Sequence, residues 1–260
     1  MAEQQRVAVV TGGASGIGEA TARRFAESGA NVIIGDVDST RGEGLAAELE
    51  HKGQKATYYH VDLASDEAVA TFADAVAAEH GAPNVLVNSG RLLQNAVHLL
   101  EMDMAEFDRL WQVNVRGTLL ASRAFGRAMC AARHGSIVNL CSLTSFRASA
   151  QVGYAVGKAG LKMLTEIMAA DFGPKGVRVN AVAPGYTLTP AMQARIEKGE
   201  RDPDVVIRGS ALRRFVAPSE VADAIFFLCS PQAAAITGVT MPIDCGWLAM
   251  TAYNAYASQP

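Results

Sequence analysis

A chain of 260 residues, half of them hydrophobic and 19% charged, is long enough to bury a sizeable core and short enough to form a single domain, residues 1–260. With 23 Lys and Arg against 26 Asp and Glu the net charge is −3, and the basic residues are scattered, so no electrostatic footprint for nucleic acid is present. Cys130, Cys141, Cys229 and Cys245 lie far apart without a CxxC pair, no apolar run approaches the ~20 residues of a membrane span, and the first residues lack a secretory pattern, so a cytoplasmic, non-membrane protein with free thiols is expected.

Val7–Val10 is the first of seven short β-branched or apolar runs; Asn31–Gly35, Ala56–Val61, Asn84–Val87, Ser136–Leu140, Val177–Val182 and Val239–Ile243 follow. Their nearly continuous hydrophobicity marks strands covered on both faces, as in a parallel sheet. Between the first two, Ile17–Ser28 carries Ala20, Ala22, Phe25 and Ala26 ahead of Gly29, a helical stop. Ser65–His80 opens on Ser65-Asp66-Glu67, a cap with first-turn acids, and carries Val69, Phe72, Ala73 and Val76 on its apolar face. The alternation predicts an α/β, single-domain Rossmann-type doubly wound fold, a seven-stranded parallel sheet flanked by helices. One segment breaks the rhythm: residues 186–215, polar and Arg-containing, follow a strand ending at Pro184-Gly185, and Pro218-Ser219-Glu220 then starts another helix. Ligands bind beyond the carboxyl ends of such strands, so 186–215 is read as a candidate substrate lid.

The first strand runs into Thr11-Gly12-Gly13-Ala14-Ser15-Gly16-Ile17-Gly18, a glycine-rich turn that opens a helix. Glycines let backbone approach a pyrophosphate, and the free N–H groups and dipole of a helix N-terminus favour its charge. The second strand ends at Asp36, 18 residues beyond Gly18 and near the ~20-residue offset at which a carboxylate meets the adenosine ribose. Such an acid repels a 2′-phosphate, and neither Ala14 nor Val37 offers it a cation, so NAD is expected in preference to NADP. Asp62, after the third strand, reads either as an acceptor for the adenine amino group or as a strand-end turn acid.

Tyr154-Ala155-Val156-Gly157-Lys158 begins an apolar helical stretch ending near Phe172, and a spacing of four puts Tyr154 and Lys158 on one face. An ammonium near a phenol favours the phenolate, easing proton exchange below the free value of ~10. Alone, the pair reads more readily as a helix-surface pair. The glycine turn, the acid-ended strand, Asn88-Ser89-Gly90, Asn114, Ser142, Tyr154-x-x-x-Lys158 and Pro184-Gly185 together resemble, in order and nearly in spacing, the short-chain dehydrogenase/reductase family over about residues 5–246.

That resemblance implies an NAD-preferring oxidoreductase that interconverts a secondary alcohol and a ketone. Thr11, Gly12, Ser15, Gly16, Ile17 and Gly18 would cradle the pyrophosphate, and Asp36, Asp62, Leu63, Asn88 and Gly90 would meet the adenosine side. Ser142 would polarise the carbonyl, Tyr154 would be the general acid/base, and Lys158 would bind the nicotinamide ribose and lower the tyrosine pKa. Asn114 would hold a water linking that lysine to solvent, and Pro184, Gly185, Thr187 and Thr189 would form the nicotinamide carboxamide site. The physical case agrees, because two hydroxyl donors must converge on an oxygen that gains negative charge as hydride arrives. No metal is required, and His51, His60, His80, His98 and His134 are too dispersed to suggest one.

Three departures set further expectations. Arg91 stands where the family has a glycine lining the adenosine; Gly90 is expected to take over the close approach, with Arg91 turned outward. Ser142 precedes Tyr154 by 12 residues, one fewer than is common in the family, which leaves Ser145 as a reserve for the active-site serine. Gly157 replaces the more usual serine and loosens the helix by about 1 kcal/mol relative to alanine. Gln94, Ser145, Arg147, Gln151 and Tyr186 are placed near the pocket, a polar mixture suited to a polyol, sugar or similar small hydroxylated compound. A 3-oxoacyl thioester reductase, docking its carrier at Arg208, Arg213 and Arg214, and a non-catalytic nucleotide-sensing or scaffold protein are the alternatives. Ala159, Met163, Leu164, Ile167, Met168 and Ala169 read either as a core stripe or as a subunit contact of the homodimer or homotetramer usual in the family. The apolar tail 247–256 is expected to dock, on this subunit or a neighbour.

Overall fold

Seven strands form one parallel sheet in the order β3-β2-β1-β4-β5-β6-β7 in the computed structural model, which describes residues Arg6–Tyr253. The strands are β1 (Val7–Thr11), β2 (Asn31–Asp36), β3 (Lys55–His60), β4 (Val85–Asn88), β5 (Gly135–Leu140), β6 (Val177–Pro184) and β7 (Thr240–Ile243). All seven expected strands are present, with ends displaced by one or two residues. The longest displacement extends β6 through Pro184, because Gly185 N–H still reaches the β7 carbonyl of Ile243 at 2.9 Å.

Helices α1 (Gly16–Glu27), α2 (Ser39–His51), α3 (Asp66–His80), α4 (Met104–Leu110), α5 (Thr118–Ala132) and α6 (Val152–Phe172) fill the crossovers. After β6 come α7 (Pro190–Glu197), α8 (Pro203–Gly209), α9 (Pro218–Leu228) and the closing α10 (Trp247–Tyr253). The caps follow the chemistry of the sequence: the Ser65 hydroxyl accepts from Ala68 N–H at 3.2 Å to start α3, and Thr189 does the same for Met192 N–H at 3.3 Å to start α7.

Alternation along each strand divides two apolar layers. Ala8, Val10, Val32 and Ile34 pack with Phe25 of α1, Leu45 and Leu49 of α2, and Val221, Ile225 and Leu228 of α9. Val7, Val9, Ile33 and Ile137 pack on the other face with Phe72 of α3, Phe125 and Met129 of α5, and Met168 of α6. Burying both faces explains why these strands read as unbroken apolar runs. A polar seam crosses the core as well: Asn88 Nδ2 donates to Asn139 Oδ1 and to Ser122 Oγ, each at 2.9 Å, and Asn139 Nδ2 donates to Thr165 Oγ1 at 2.9 Å.

The apolar stripe on α6 serves two surfaces. Met168 and Ala169 are buried and Leu164 packs against the core, whereas Val156, Met163 and Ile167 are about half exposed. Of the tail, residues 254–256 lie outside the described residues; Trp247 folds back onto this subunit, under the Arg147 guanidinium at 4.3 Å and 5.4 Å from the Tyr186 ring. No described helix is long and apolar enough to cross a membrane.

Strand order reverses between β1 and β4, so their carboxyl ends diverge and open the crevice in which a doubly wound sheet holds its ligand.

Candidate active site

The glycine turn after β1 is packed backbone against backbone. Gly12 has φ +62°, its N–H donates to the Gly35 carbonyl at 2.7 Å, and a Cβ on it would lie 2.4 Å from Gly90 Cα. Gly18 is as constrained, since its Cβ would fall 1.9 Å from the Gly12 carbonyl oxygen. Gly90 thus packs backbone to backbone on the turn. Ser15 caps α1 without a side-chain hydrogen bond and is exposed, leaving the helix N-terminus and a free hydroxyl facing outward. Asp36 terminates β2 beside this turn; one oxygen accepts from Ala14 N–H at 3.0 Å and the other from Asp38 N–H at 3.1 Å. An uncapped helix N-terminus, a side-chain-free cradle and an acid at the second strand fit a dinucleotide.

Three assignments around the nucleotide change. Thr11 is fully buried with its hydroxyl 3.5 Å from the Val87 carbonyl, and Asn88 spends Nδ2 inside the core, so both brace the sheet. Asp62 is exposed and one of its oxygens accepts from Ala64 N–H at 2.9 Å, the strand-end turn reading, while buried Leu63 backs Gly90. A cation does stand nearby. Arg41 borders a shallow cavity with Ala14 and Ser15, its Nε 3.6 Å from Asp38; a long side chain one turn into α2 reaches the turn, which adjacency in sequence to Asp36 did not suggest.

Beyond β5 and β6 a cavity of about 300 Å³ gathers the reacting groups. Ser142, Tyr154, Gln151, Pro184, Gly185, Tyr186, Thr187 and Thr189 all line it. Ser142 follows β5 by two residues, and Tyr154 rises from the first turn of α6, 7% exposed, and both line the cavity. Ser145 does not line the cavity: its hydroxyl donates to the Lys158 carbonyl at 2.8 Å, a brace between the short turn Leu143–Ser145 and α6. Geometry thus puts Ser142, not Ser145, beside the tyrosine, and removes Ser145 from the substrate set.

Gln94 leaves that set too. It is 1% exposed, its Oε1 accepts from Tyr154 N–H at 3.1 Å, and its Nε2 donates to Glu106 at 3.2 Å. It fixes the first turn of α6 from behind, and Gln151 Nε2 in turn donates to the Gln94 carbonyl. Asn114 sits in a π-helical stretch, Trp111–Gly117, that links α4 to α5. Its amide closes a ring with Leu92, accepting from Leu92 N–H at 2.7 Å and donating to Leu92 O at 3.0 Å, so its side chain positions the loop after β4 while Oδ1 and Nδ2 each keep one further hydrogen-bonding position.

Lys158 is buried, its Nζ donating to the carbonyl of Leu140 at the end of β5. Burial pulls its pKa down to about 7, and the Arg91 cation adds to the depression. Burial pushes the Tyr154 phenol up; the Arg91 charge and the Ser142 hydrogen bond pull it back. The expectation for Arg91 is therefore overturned. It turns inward, lines the same cavity as Tyr154, and is the cation acting on the tyrosine, a role expected of Lys158. The physical reason is that a desolvated amine gives up its charge whereas a guanidinium keeps it.

Residues 186–215 are not a bare loop. They carry α7 and α8, and Met192, Arg195 and Arg201 come from this segment to the cavity wall. Arg195, Arg201, Cys141 and Trp247 are among the lining residues that motif reasoning missed; for the two arginines an Arg-containing insertion after a strand was the available signal.

A doubly wound parallel sheet with serine, tyrosine and lysine gathered beyond β5, next to a glycine turn, defines a nicotinamide-nucleotide oxidoreductase. The chain belongs to the short-chain dehydrogenase/reductase family, and the family model described as enoyl-(acyl carrier protein) reductase matches residues 12–248. Among similar proteins, cis-4-hydroxycyclohexanecarboxylate dehydrogenase of Sinomonas cyclohexanicum is 37% identical over 252 residues, covering 95% of this chain and 98% of the relative. D-threitol dehydrogenase of Mycolicibacterium smegmatis is 37% identical over 249 residues, covering 93% and 92%. The crystal structure of a ribose-5-phosphate isomerase from Brucella melitensis superposes with a TM-score of 0.90 at 39% identity, covering 97% of each chain.

Proposed function

We propose that the protein oxidises a secondary alcohol of a small hydroxylated compound to the ketone, or the reverse, with NAD. The observation that carries this is that Ser142 and Tyr154 share one wall of a cavity that also takes in Pro184, Gly185, Thr187 and Thr189. Bound there, a nicotinamide takes up or supplies the hydride. This chain's residues do the rest. Ser142 and Tyr154 donate hydrogen bonds to the substrate oxygen where charge develops, and Tyr154 gives its proton to that oxygen in reduction and, as the phenolate, takes it back in oxidation. Lys158, held by Leu140, binds the ribose side, and Pro184, Gly185, Thr187 and Thr189 form the wall for the carboxamide. Arg91 holds positive charge beside the phenol. Segment 186–215 acts as the substrate lid.

NAD is supported by Asp36, whose carboxylate meets the first turn where a 2′-phosphate would lie. Arg41 favours the competing reading, NADP, because it brings a cation to the same turn; its neighbour Asp38 opposes that reading. The hydroxylated substrate is supported by the two dehydrogenase relatives, named for a hydroxy acid and a polyol. An isomerase reading is not adopted, since the site pairs an acid/base with a nucleotide cradle. Carrier-bound thioesters are disfavoured because Arg214 is neutralised by a two-pronged bond to Glu220, 2.7 Å at each prong, and Arg213 is folded onto the Arg208 carbonyl. The half-exposed Val156, Met163 and Ile167 support assembly into a homodimer or homotetramer.

The test is absorbance at the NADH band with NAD and NADP separately across polyols, sugars, hydroxy acids and simple secondary alcohols. NAD-linked turnover that falls by about 10³ in Tyr154→Phe, with NADH binding retained, supports the reading. Turnover untouched by Tyr154→Phe defeats it.

A further inference from the structure

The charge on the cavity wall is one-sided. Arg91, Arg147, Arg195 and Arg201 line it, and among the described residues no Asp, Glu, Lys or His does, although the chain as a whole carries a net charge of −3. Two of the four are committed elsewhere: Arg195 donates to Asn95 Oδ1 at 2.6 Å and faces Glu200 at 4.0 Å, and Arg147 stacks on Trp247 and donates to Thr251 Oγ1 at 3.3 Å. Arg91 and Arg201 have neither a hydrogen bond nor an ion pair among the described residues, and Arg201 Nε is buried without any partner. A guanidinium does not escape this by losing its proton, so its buried N–H is left as a cost that an acceptor of opposite charge removes.

We infer that the substrate carries an anionic oxygen group, carboxylate or phosphate, which Arg201 binds while the carbinol carbon lies at Ser142 and Tyr154. The inference rests on the oxidoreductase reading above and names its substrate class. A cavity of about 300 Å³ that also receives a nicotinamide leaves room for a compact molecule, so a short hydroxy acid or a short hydroxyalkyl phosphate fits better than a long chain. The cradle for the cofactor phosphates is the turn at Gly12–Gly18, built from other residues, so Arg201 is not needed there.

The experiment measures kcat/KM for hydroxy acids of four to seven carbons, each paired with its primary amide, and for hydroxyalkyl phosphates, in wild type, Arg201→Gln and Arg201→Lys. NADH dissociation constants are measured alongside. The expected result is a preference for the acid or the phosphate over the amide of about thirtyfold in wild type, since a hydrogen bond to a charged group is worth roughly that factor. It should vanish in Arg201→Gln and return partly in Arg201→Lys, with NADH affinity within twofold throughout; which anion is preferred identifies the source. Amides used as well as acids, or an Arg201→Gln defect confined to NADH binding, would overturn the inference and leave the oxidoreductase reading intact. If no compound turns over, Trp247 fluorescence in a Trp111→Phe background, titrated with butyrate, butyramide and inorganic phosphate, decides it separately. Quenching by the anions alone that is lost in Arg201→Gln supports the anion site, and equal or absent quenching removes it.

Discussion

The Nζ of Lys158 donates to the carbonyl of Leu140 and lies 5.5 Å from the centre of the Tyr154 ring. The amine is thus tied to the strand end and reaches the tyrosine across its face. Its pKa falls from 10.5 to about 7 on burial, so between these values the unfolded chain holds one more proton than the folded one. Stability must therefore rise with pH across about 7 to 10 from this group. Urea unfolding of cofactor-free protein across that window should show the rise, and Lys158→Met should flatten it by a few kcal/mol. An equal pH slope in the variant would locate the effect elsewhere.

Removing the Arg91 charge should act on rate. Alcohol oxidation needs the Tyr154 phenolate, so kcat/KM climbs with pH until the phenol has ionised. Arg91 lowers that ionisation, and Arg91→Met should move the climbing limb to higher pH. Arg91→Gly, measured by NADH titration as well as by rate, separates this charge effect from any obstruction of the adenosine side.

Ser142→Ala and Ser145→Ala should part company. The first removes a donor to the reacting oxygen and should lower kcat by about 10², with at most the small stability loss of its long bond from Thr144 N–H. The second removes the hydroxyl bonded to the Lys158 carbonyl and should cost about 1 kcal/mol of stability with a much smaller rate effect. Thermal melts beside initial rates give both numbers; a normal rate in Ser142→Ala would exchange the roles.

Asp36→Ala tests the cofactor. The NAD-to-NADP ratio of kcat/KM should fall by roughly tenfold or more as carboxylate repulsion disappears. Loss of the bond to Ala14 N–H should lower both constants together, so the ratio is the diagnostic reading. Adding Arg41→Ala to Asp36→Ala should then depress NADP use selectively.

The sheet was legible because strands buried on both faces write themselves as Val and Ile runs, and the helices because Ser65 and Gly29 punctuate them. The turn, Asp36, Tyr154 and Lys158 were legible because spacing along one strand or one helix turn determines who meets whom. What failed was contact between distant segments. Nothing local in Gln94 says that its amide will cap the backbone of Tyr154, 60 residues on, and nothing in Asn114 announces Leu92. Arg91 was misdirected for the same reason, since its inward course depends on the cavity that β5, β6 and α7 create. Spacing of 12 residues left the serine undecided, and only the return of Ser145 to the Lys158 carbonyl settles which hydroxyl is free.

The polar seam through Asn88, Asn139 and Thr165 has a consequence for alignment of the chain. In an apolar parallel sheet, neighbouring strands slide at small penalty, because one β-branched side chain replaces another. Here a shift of β5 by one residue against β4 would turn Asn139 away from both Asn88 and Thr165 and leave both ends of its amide without a partner in hydrocarbon, while Asn88 keeps Ser122 and Thr165 keeps the Leu161 carbonyl. The seam therefore works as a vernier. It sets where β5 stops, and with that the depth at which Leu140 presents its carbonyl to Lys158 and Ser142 its hydroxyl to Tyr154.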